Sequence, residues 1–164
     1  MSVPNLRLAR ADDLDAINAI YNHFVVHSAC TYQEEPSTRD ERAAWFASHG
    51  HAHRITVAEQ DGVVVGWGSI SRFHPRSAYR RTVENSVYVR HDLHRRGLGS
   101  MLLADLIDRA RAADHHSIIA LIDSGQPGSL ALHERHGFVR VGHLREVGIK
   151  FGRWGDVVYL QRML

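Results

Sequence analysis

VENSVYVRHDLHRRGLGSMLLADLI, residues 83–107, decides the reading of the fold. Val83, Val87, Tyr88 and Val89, with Ser86 among them, read as a strand from their β-branched and aromatic bias. A polar turn over residues 90–94 follows, then Arg95-Arg96-Gly97-Leu98-Gly99-Ser100. Apolar residues at Leu98, Leu102, Leu103, Leu106, Ile107 and Ala110 then recur at helical spacing. The stretch predicts a strand, a glycine loop and a helix N-terminus with two arginines at its mouth. Such an end presents unpaired N–H groups and partial positive charge, and glycines let a ligand approach the backbone. Phosphate or pyrophosphate suits it. Two glycines at a helix start are also compatible with a tight turn and nothing more. Their place between strand and helix, and the guanidinium groups beside them, favour the anion site. No Gly-Lys-Ser/Thr follows, which disfavours a nucleoside-triphosphate P-loop.

Toward the N-terminus, residues 6–9 read as a short strand. Asp12 and Asp13 start a helix over 13–27, with Leu14, Ile17, Ile20, Tyr21, Phe24 and Val25 on one face. A loop over 28–36 carries Thr31, Tyr32 and Gln33. Thr38-Arg39-Asp40-Glu41 is a capping box for a second helix through Trp45 and Phe46, with Gly50 as its expected stop. Strands over 54–59 and 63–73 flank an Asp61-Gly62 hairpin turn. Residues 74–81 are a polar loop. Toward the C-terminus, 117–122 is an almost continuously apolar strand and 129–136 a short helix closed by Gly137. Strands over 138–144 and 154–164 are joined by a connection spanning 148–152.

The order is β-α-α-β-β-β-α-β-α-β-β. It predicts an α/β (α+β) domain over residues 1–164, with a mixed, mostly antiparallel central sheet flanked by helices. A doubly wound dinucleotide fold is excluded, because the glycine loop follows a meander of strands. Lys and Arg number 20 against 18 Asp and Glu, a net charge of +2 that gives no argument for nucleic acid. No apolar run is long enough to span a bilayer, and a cytoplasmic protein with no membrane partner is expected. Cys30 is the single cysteine, so no intrachain disulfide forms. Thirteen histidines raise the question of a metal, but no Asp, Glu or Cys set completes a site, and none is expected.

His94-Arg95-Arg96-Gly97-Leu98-Gly99 resembles the Gln/Arg-x-x-Gly-x-Gly/Ala motif of the GNAT superfamily of N-acetyltransferases. Residues 129–138, SLALHERHGF, resemble a second segment of the same family, in the same order. More narrowly, Ile20-Tyr21-Asn22, residues 82–89, Gly97-Leu98-Gly99-Ser100, Leu132-His133 and Lys150-Phe151-Gly152-Arg153-Trp154 resemble the branch acetylating phosphinothricin and methionine sulfone or sulfoximine. His94 stands where Gln or Arg is usual, and Gln126 where Asn is usual.

The resemblance implies acetyl-CoA as cosubstrate, with its pantetheine arm along Val87, Tyr88 and Val89 of a splayed strand. It places the pyrophosphate on the amides of Arg95, Arg96, Gly97, Leu98, Gly99 and Ser100, with Gln126 and Ser129 turned toward the cofactor. The amine attacks the thioester directly, so Cys30 is not a nucleophile. Glu84 corresponds to the base, acting through water, and a backbone N–H such as that of Val89 to the oxyanion donor. His133 stands where many members carry a tyrosine acid, and acid, second base or hydrogen-bond donor all remain open. The acceptor is expected to be small, anionic and amino-acid-like. Arg76 would hold its carboxylate or phosphinate, with His74, Tyr79, Tyr32, Gln33 and Val157 around it. A homodimer is implied by analogy. Acetylation of a protein N-terminus or an aminoglycoside, or CoA binding without catalysis, are the competing functions.

Overall fold

The computed structural model describes residues 2–164. The chain runs β1 (Asn5–Leu8), α1 (Leu14–His27), α2 (Arg39–Ala47), β2 (Ile55–Gln60), β3 (Val63–Arg72), β4 (Thr82–Val89), α3 (Leu98–Ala112), β5 (Ser117–Asp123), α4 (Pro127–Arg135), β6 (Val139–Lys150) and β7 (Arg153–Met163). The element order is the expected one. One sheet holds all seven strands in the order β1-β2-β3-β4-β5-β7-β6. Neighbours are antiparallel except β4 and β5, which are parallel.

Local chemistry sets the ends of several elements. Thr38 caps α2: its hydroxyl accepts from the Glu41 amide at 3.2 Å, and the Glu41 carboxylate accepts from the Thr38 amide at 2.8 Å. Asp61 and Gly62 both have positive φ, 52° and 78°, which closes β2–β3 with a twist matching the strands. Two expectations fail. Gly50 does not stop α2; the helix ends at Ala47, and the Ser48 amide reaches the Ala44 carbonyl at 3.1 Å. The joint between the last two strands is shorter than 148–152, because β6 continues to Lys150 and the turn is Phe151-Gly152, with φ of 51° and 70°. Gly148 lies inside β6 opposite Gly155, past an irregularity in register after Leu144.

Side-chain alternation divides the core in two. Ile70 and Val83 join Leu103, Leu106, Ile107 and Ala110 of α3 on one face. Trp67, of opposite parity to Ile70, joins Ile17 and Ile20 of α1 on the other, with Trp45 and Phe46 of α2 packed against them. The two glycines that interrupt β3 bring α3 down onto the sheet. A Cβ at Gly66 would lie 3.2 Å from Leu102 Cδ1, and one at Gly68 would lie 2.8 Å from Leu106 Cδ1. On the other face the Arg42 guanidinium is buried over the rings of Tyr21, 4.6 Å away, and Trp45, 4.7 Å away, tying α2 to α1.

Candidate active site

β4 and β5 pair only at Thr82–Ser117, Val83–Ile118 and Glu84–Ile119. Beyond Glu84 they part, β4 staying with β3 and β5 with β7. The gap opens into a cleft of about 820 Å3. Backbone direction along β4 follows from the bonds at its ends. The Arg81 carbonyl accepts from His116 and Ser117 on the β5 side. The Thr82 carbonyl accepts from Phe73, and Arg90 N–H donates to Val65, both on the β3 side. Odd residues therefore turn their peptide groups into the gap and even residues away from it. Val87 N–H and C=O and Val89 N–H face the cleft, while the Val89 carbonyl accepts from His94 Nε2 at 2.9 Å. Tyr88 also lines the cleft, but its peptide faces β3. Its ring packs against Tyr21 (5.2 Å), Trp67 (4.9 Å) and Phe24 (5.8 Å), where burial raises its phenol far above the usual range.

The glycine loop closes the open end of the gap. Arg95 has φ 60° and Gly97 has φ 83°. The first intrahelical bond of α3 runs from Met101 N to Gly97 O at 3.0 Å, so the amides of Leu98, Gly99 and Ser100 project from the helix end. Arg95, Gly97, Leu98, Gly99 and Ser100 line the cleft; Arg96 is exposed and lies outside the lining. The Ser100 hydroxyl is engaged with His136 Nε2 at 2.7 Å, which leaves its amide for an anion. Gly99 permits the approach of α4, since a Cβ there would lie 3.3 Å from Leu132 Cδ2. Gln126 and Ser129, at the start of α4, stand on the opposite wall.

At the closed end sit Glu84, Asn85 and His133. Burial alone raises the Glu84 carboxyl above its usual range. His133, 4% exposed, has both ring nitrogens engaged. Nδ1 lies 2.8 Å from the Ser129 carbonyl, which only accepts, so Nδ1 carries the proton. Nε2 then accepts from Asn85 Nδ2 at 2.9 Å. Burial lowers the pKa of the ring, so it is neutral at pH 7 and has no proton aimed into the cleft.

Tyr32 and Val157 line the cleft. The Tyr32 hydroxyl donates to Asp123 Oδ2 at 2.5 Å, and burial, reinforced by that carboxylate, raises its pKa. Its ring lies against Gly148 and its hydroxyl against Gly155, where a Cβ at either position would collide. Cys30 is on the same wall, and burial raises its thiol pKa, which suits an inert side chain. Gln33, His74, Arg76 and Tyr79 do not line this cleft. Both ends of Gln33 hold its own loop: Oε1 accepts from Tyr21 at 3.0 Å and Nε2 donates to the Glu35 carbonyl at 2.7 Å. The exposed 74–79 loop is tied to itself, with Arg76 N donating to His74 Nδ1 at 3.2 Å and the His74 and Tyr79 rings 4.5 Å apart. Sequence reasoning missed Asn85 and Asp123. The available signal for Asn85 was a carboxamide at a core-facing position between Val83 and Val87.

Residues 17–138 match the Acetyltransferase (GNAT) family, and the chain belongs to that family. It is an acetyl-CoA-dependent N-acetyltransferase. The chain is 40% identical to L-amino acid N-acyltransferase MnaT of Escherichia coli K12, covering 98% of this chain and 94% of that protein. It is 43% identical to phosphinothricin N-acetyltransferase of Alcaligenes faecalis, covering 97% and 82% respectively. An acetyltransferase structure from Salmonella typhimurium, solved with its cofactor acetyl-CoA, superposes with a TM-score of 0.96 at 37% identity, covering 99% of this chain and 95% of that one. The cleft fits that ligand: open peptide groups for its amides, helix-end amides and Arg95 for its phosphates, and a buried acceptor atom at Asn85 that has no partner within the protein. Among the described residues no cluster of His, Cys, Asp or Glu could hold a metal ion.

A base must be ionised to act, so the raised pKa of Glu84 places the rising limb of the pH–rate profile above the usual carboxylate range. Glu84→Gln is expected to lower kcat about 100-fold above that limb, where the native carboxylate is ionised; the deficit vanishes at the foot of the limb, where native Glu84 is itself protonated, and shrinks again as pH approaches the amine's own pKa. Steady-state kinetics across pH checks this. A variant matching the native enzyme at every pH removes Glu84 as the base.

Proposed function

We propose that the chain transfers the acetyl group of acetyl-CoA to the α-amine of a small, anionic, amino-acid-like acceptor of the phosphinothricin or methionine sulfoximine and sulfone type. The observation that carries this reading is the desolvated Glu84 carboxyl at the apex of the gap, where the open peptide edge of β4 ends. An ammonium has no lone pair, and Glu84 takes its proton through a water. The Val89 N–H is the donor assigned to the oxygen of the reacting carbonyl. His133, neutral and doubly engaged, positions Asn85 rather than transferring a proton. Tyr32, clamped by Asp123 against two glycines, limits the acceptor side to small molecules, which argues against aminoglycosides and peptide N-termini. The relatives named above, an L-amino acid N-acyltransferase and a phosphinothricin N-acetyltransferase, support the same class. Cytoplasmic residence follows from the need for acetyl-CoA.

We also infer a homodimer through β6. This edge strand of 12 residues exposes Val139, Val141, Val147 and Ile149, with Trp154 exposed on the adjoining β7. A long apolar edge strand is a template for pairing. Sedimentation equilibrium should give twice the mass of the 18.5 kDa chain, and Val147→Glu should halve it. A native monomer at micromolar concentration contradicts the inference.

The acceptor class is tested by release of free CoA thiol over a panel of amines. Phosphinothricin, methionine sulfone and methionine sulfoximine should give turnover well above background, while aminoglycosides and N-terminal peptides should give none. Absence of thiol release with every amino-acid-like acceptor contradicts the reading.

A further inference from the structure

Asn85 is the first β4 residue beyond the last pair with β5, and it is 6% exposed. Its orientation is fixed through a chain of bonds. The Ser129 carbonyl holds the proton of His133 on Nδ1, the lone pair on Nε2 therefore faces Asn85, and only the amide nitrogen of Asn85 can answer it. Phe138, edge-on to the His133 ring at 5.0 Å, holds that ring in place. The carboxamide cannot turn over without losing its bond, so Oδ1 is fixed on the opposite side. That oxygen is buried and has no hydrogen-bond partner. Buried acceptors are rarely left unmade, and Asn85 is one of the residues that line the cleft.

We propose that Asn85 Oδ1 accepts the hydrogen bond of the coenzyme A thiol, a bond that the product can make and acetyl-CoA cannot. The proposal rests on the acetyl-transfer reading. The cofactor's amides find donors and acceptors at Val87 and Val89, farther along the gap toward the glycine loop. Asn85 stands at the apex beside Glu84, where the reacting end of the cofactor lies. There the thioester has no donor: neither its sulfur nor its carbonyl oxygen carries hydrogen. The thiol has one, although a weak one. In the overall reaction the acceptor ammonium gives one proton to Glu84. The C–N bond forms, the C–S bond breaks, and a second proton from the nitrogen ends on sulfur. The S–H so formed points at Oδ1. His133 does not supply that proton, because its single N–H is held by Ser129. Asn85 thus favours the departing thiol over the entering thioester, and CoA is a tight-binding product.

Calorimetry with CoA, acetyl-CoA and desulfo-CoA tests this without turnover. The native enzyme should bind CoA about fivefold more tightly than desulfo-CoA, the scale of one weak hydrogen bond. Asn85→Leu, which keeps bulk and removes the acceptor, should abolish that preference and leave the desulfo-CoA Kd within about twofold of native, which also reports a folded cleft. A preference that survives Asn85→Leu overturns the proposal, as does an equal weakening of all three ligands, which would assign Oδ1 to a pantetheine amide. If Asn85→Leu does not fold, the native comparison decides, and equal Kd values for CoA and desulfo-CoA reject it. Failure of the native enzyme to bind any of the three refutes the acetyl-transfer reading itself.

Discussion

The parting of β4 from β5 after Glu84 and Ile119 is the constraint on which the site depends. Each strand keeps its other neighbour along its length, β3 for one and β7 for the other, so the sheet divides without either half losing its ladder. The division leaves peptide groups of Val87 and Val89 without a strand partner. Unpaired groups of that kind are costly unless water or a ligand meets them. A ligand with alternating amides is the chemical complement, and the pantetheine arm of acetyl-CoA is such a ligand. Three further features converge on the gap: the helix end of α3 at its mouth, the first turn of α4 on its far wall and Glu84 at its apex.

Charge at the apex is sparse, and that shapes the chemistry. Glu84 is destabilised as an anion by desolvation, which strengthens it as a base. His133 is held neutral, and its two nitrogens serve to orient a carboxamide. A cationic histidine at this point would hold a thiolate; a neutral one with a fixed amide meets a thiol. The half-buried Cys30, with its pKa raised by desolvation, stays protonated, consistent with direct transfer.

Much of this was legible in the sequence because the signals are local. The capping box at Thr38, the Asp61-Gly62 turn and the glycine loop each fix backbone through neighbours within a few residues, and the structure has all three. Long-range contacts were not legible. Gly148 reads as a loop residue in sequence, yet it pairs with Gly155 inside β6, where the Tyr32 ring, far away in the chain, leaves no room for a side chain. Gly50 reads as a helix stop, yet α2 had already ended at Ala47. The 74–79 loop precedes Glu84 in sequence but joins β4 at its paired end, and proximity in the chain does not by itself bring Arg76, His74 and Tyr79 into the lining of the cleft. Asn85 was invisible as a functional residue because its meaning depends on which tautomer Ser129 imposes on His133.

The central claim is that acetyl-CoA completes the open edge of β4, and amide hydrogen exchange resolved by residue tests it most directly. Adding acetyl-CoA should slow exchange at Val87 and Val89, whose N–H groups face the gap, and leave Tyr88, whose peptide already faces β3, unchanged. Unaltered exchange at Val87 and Val89 under saturating acetyl-CoA would contradict the account.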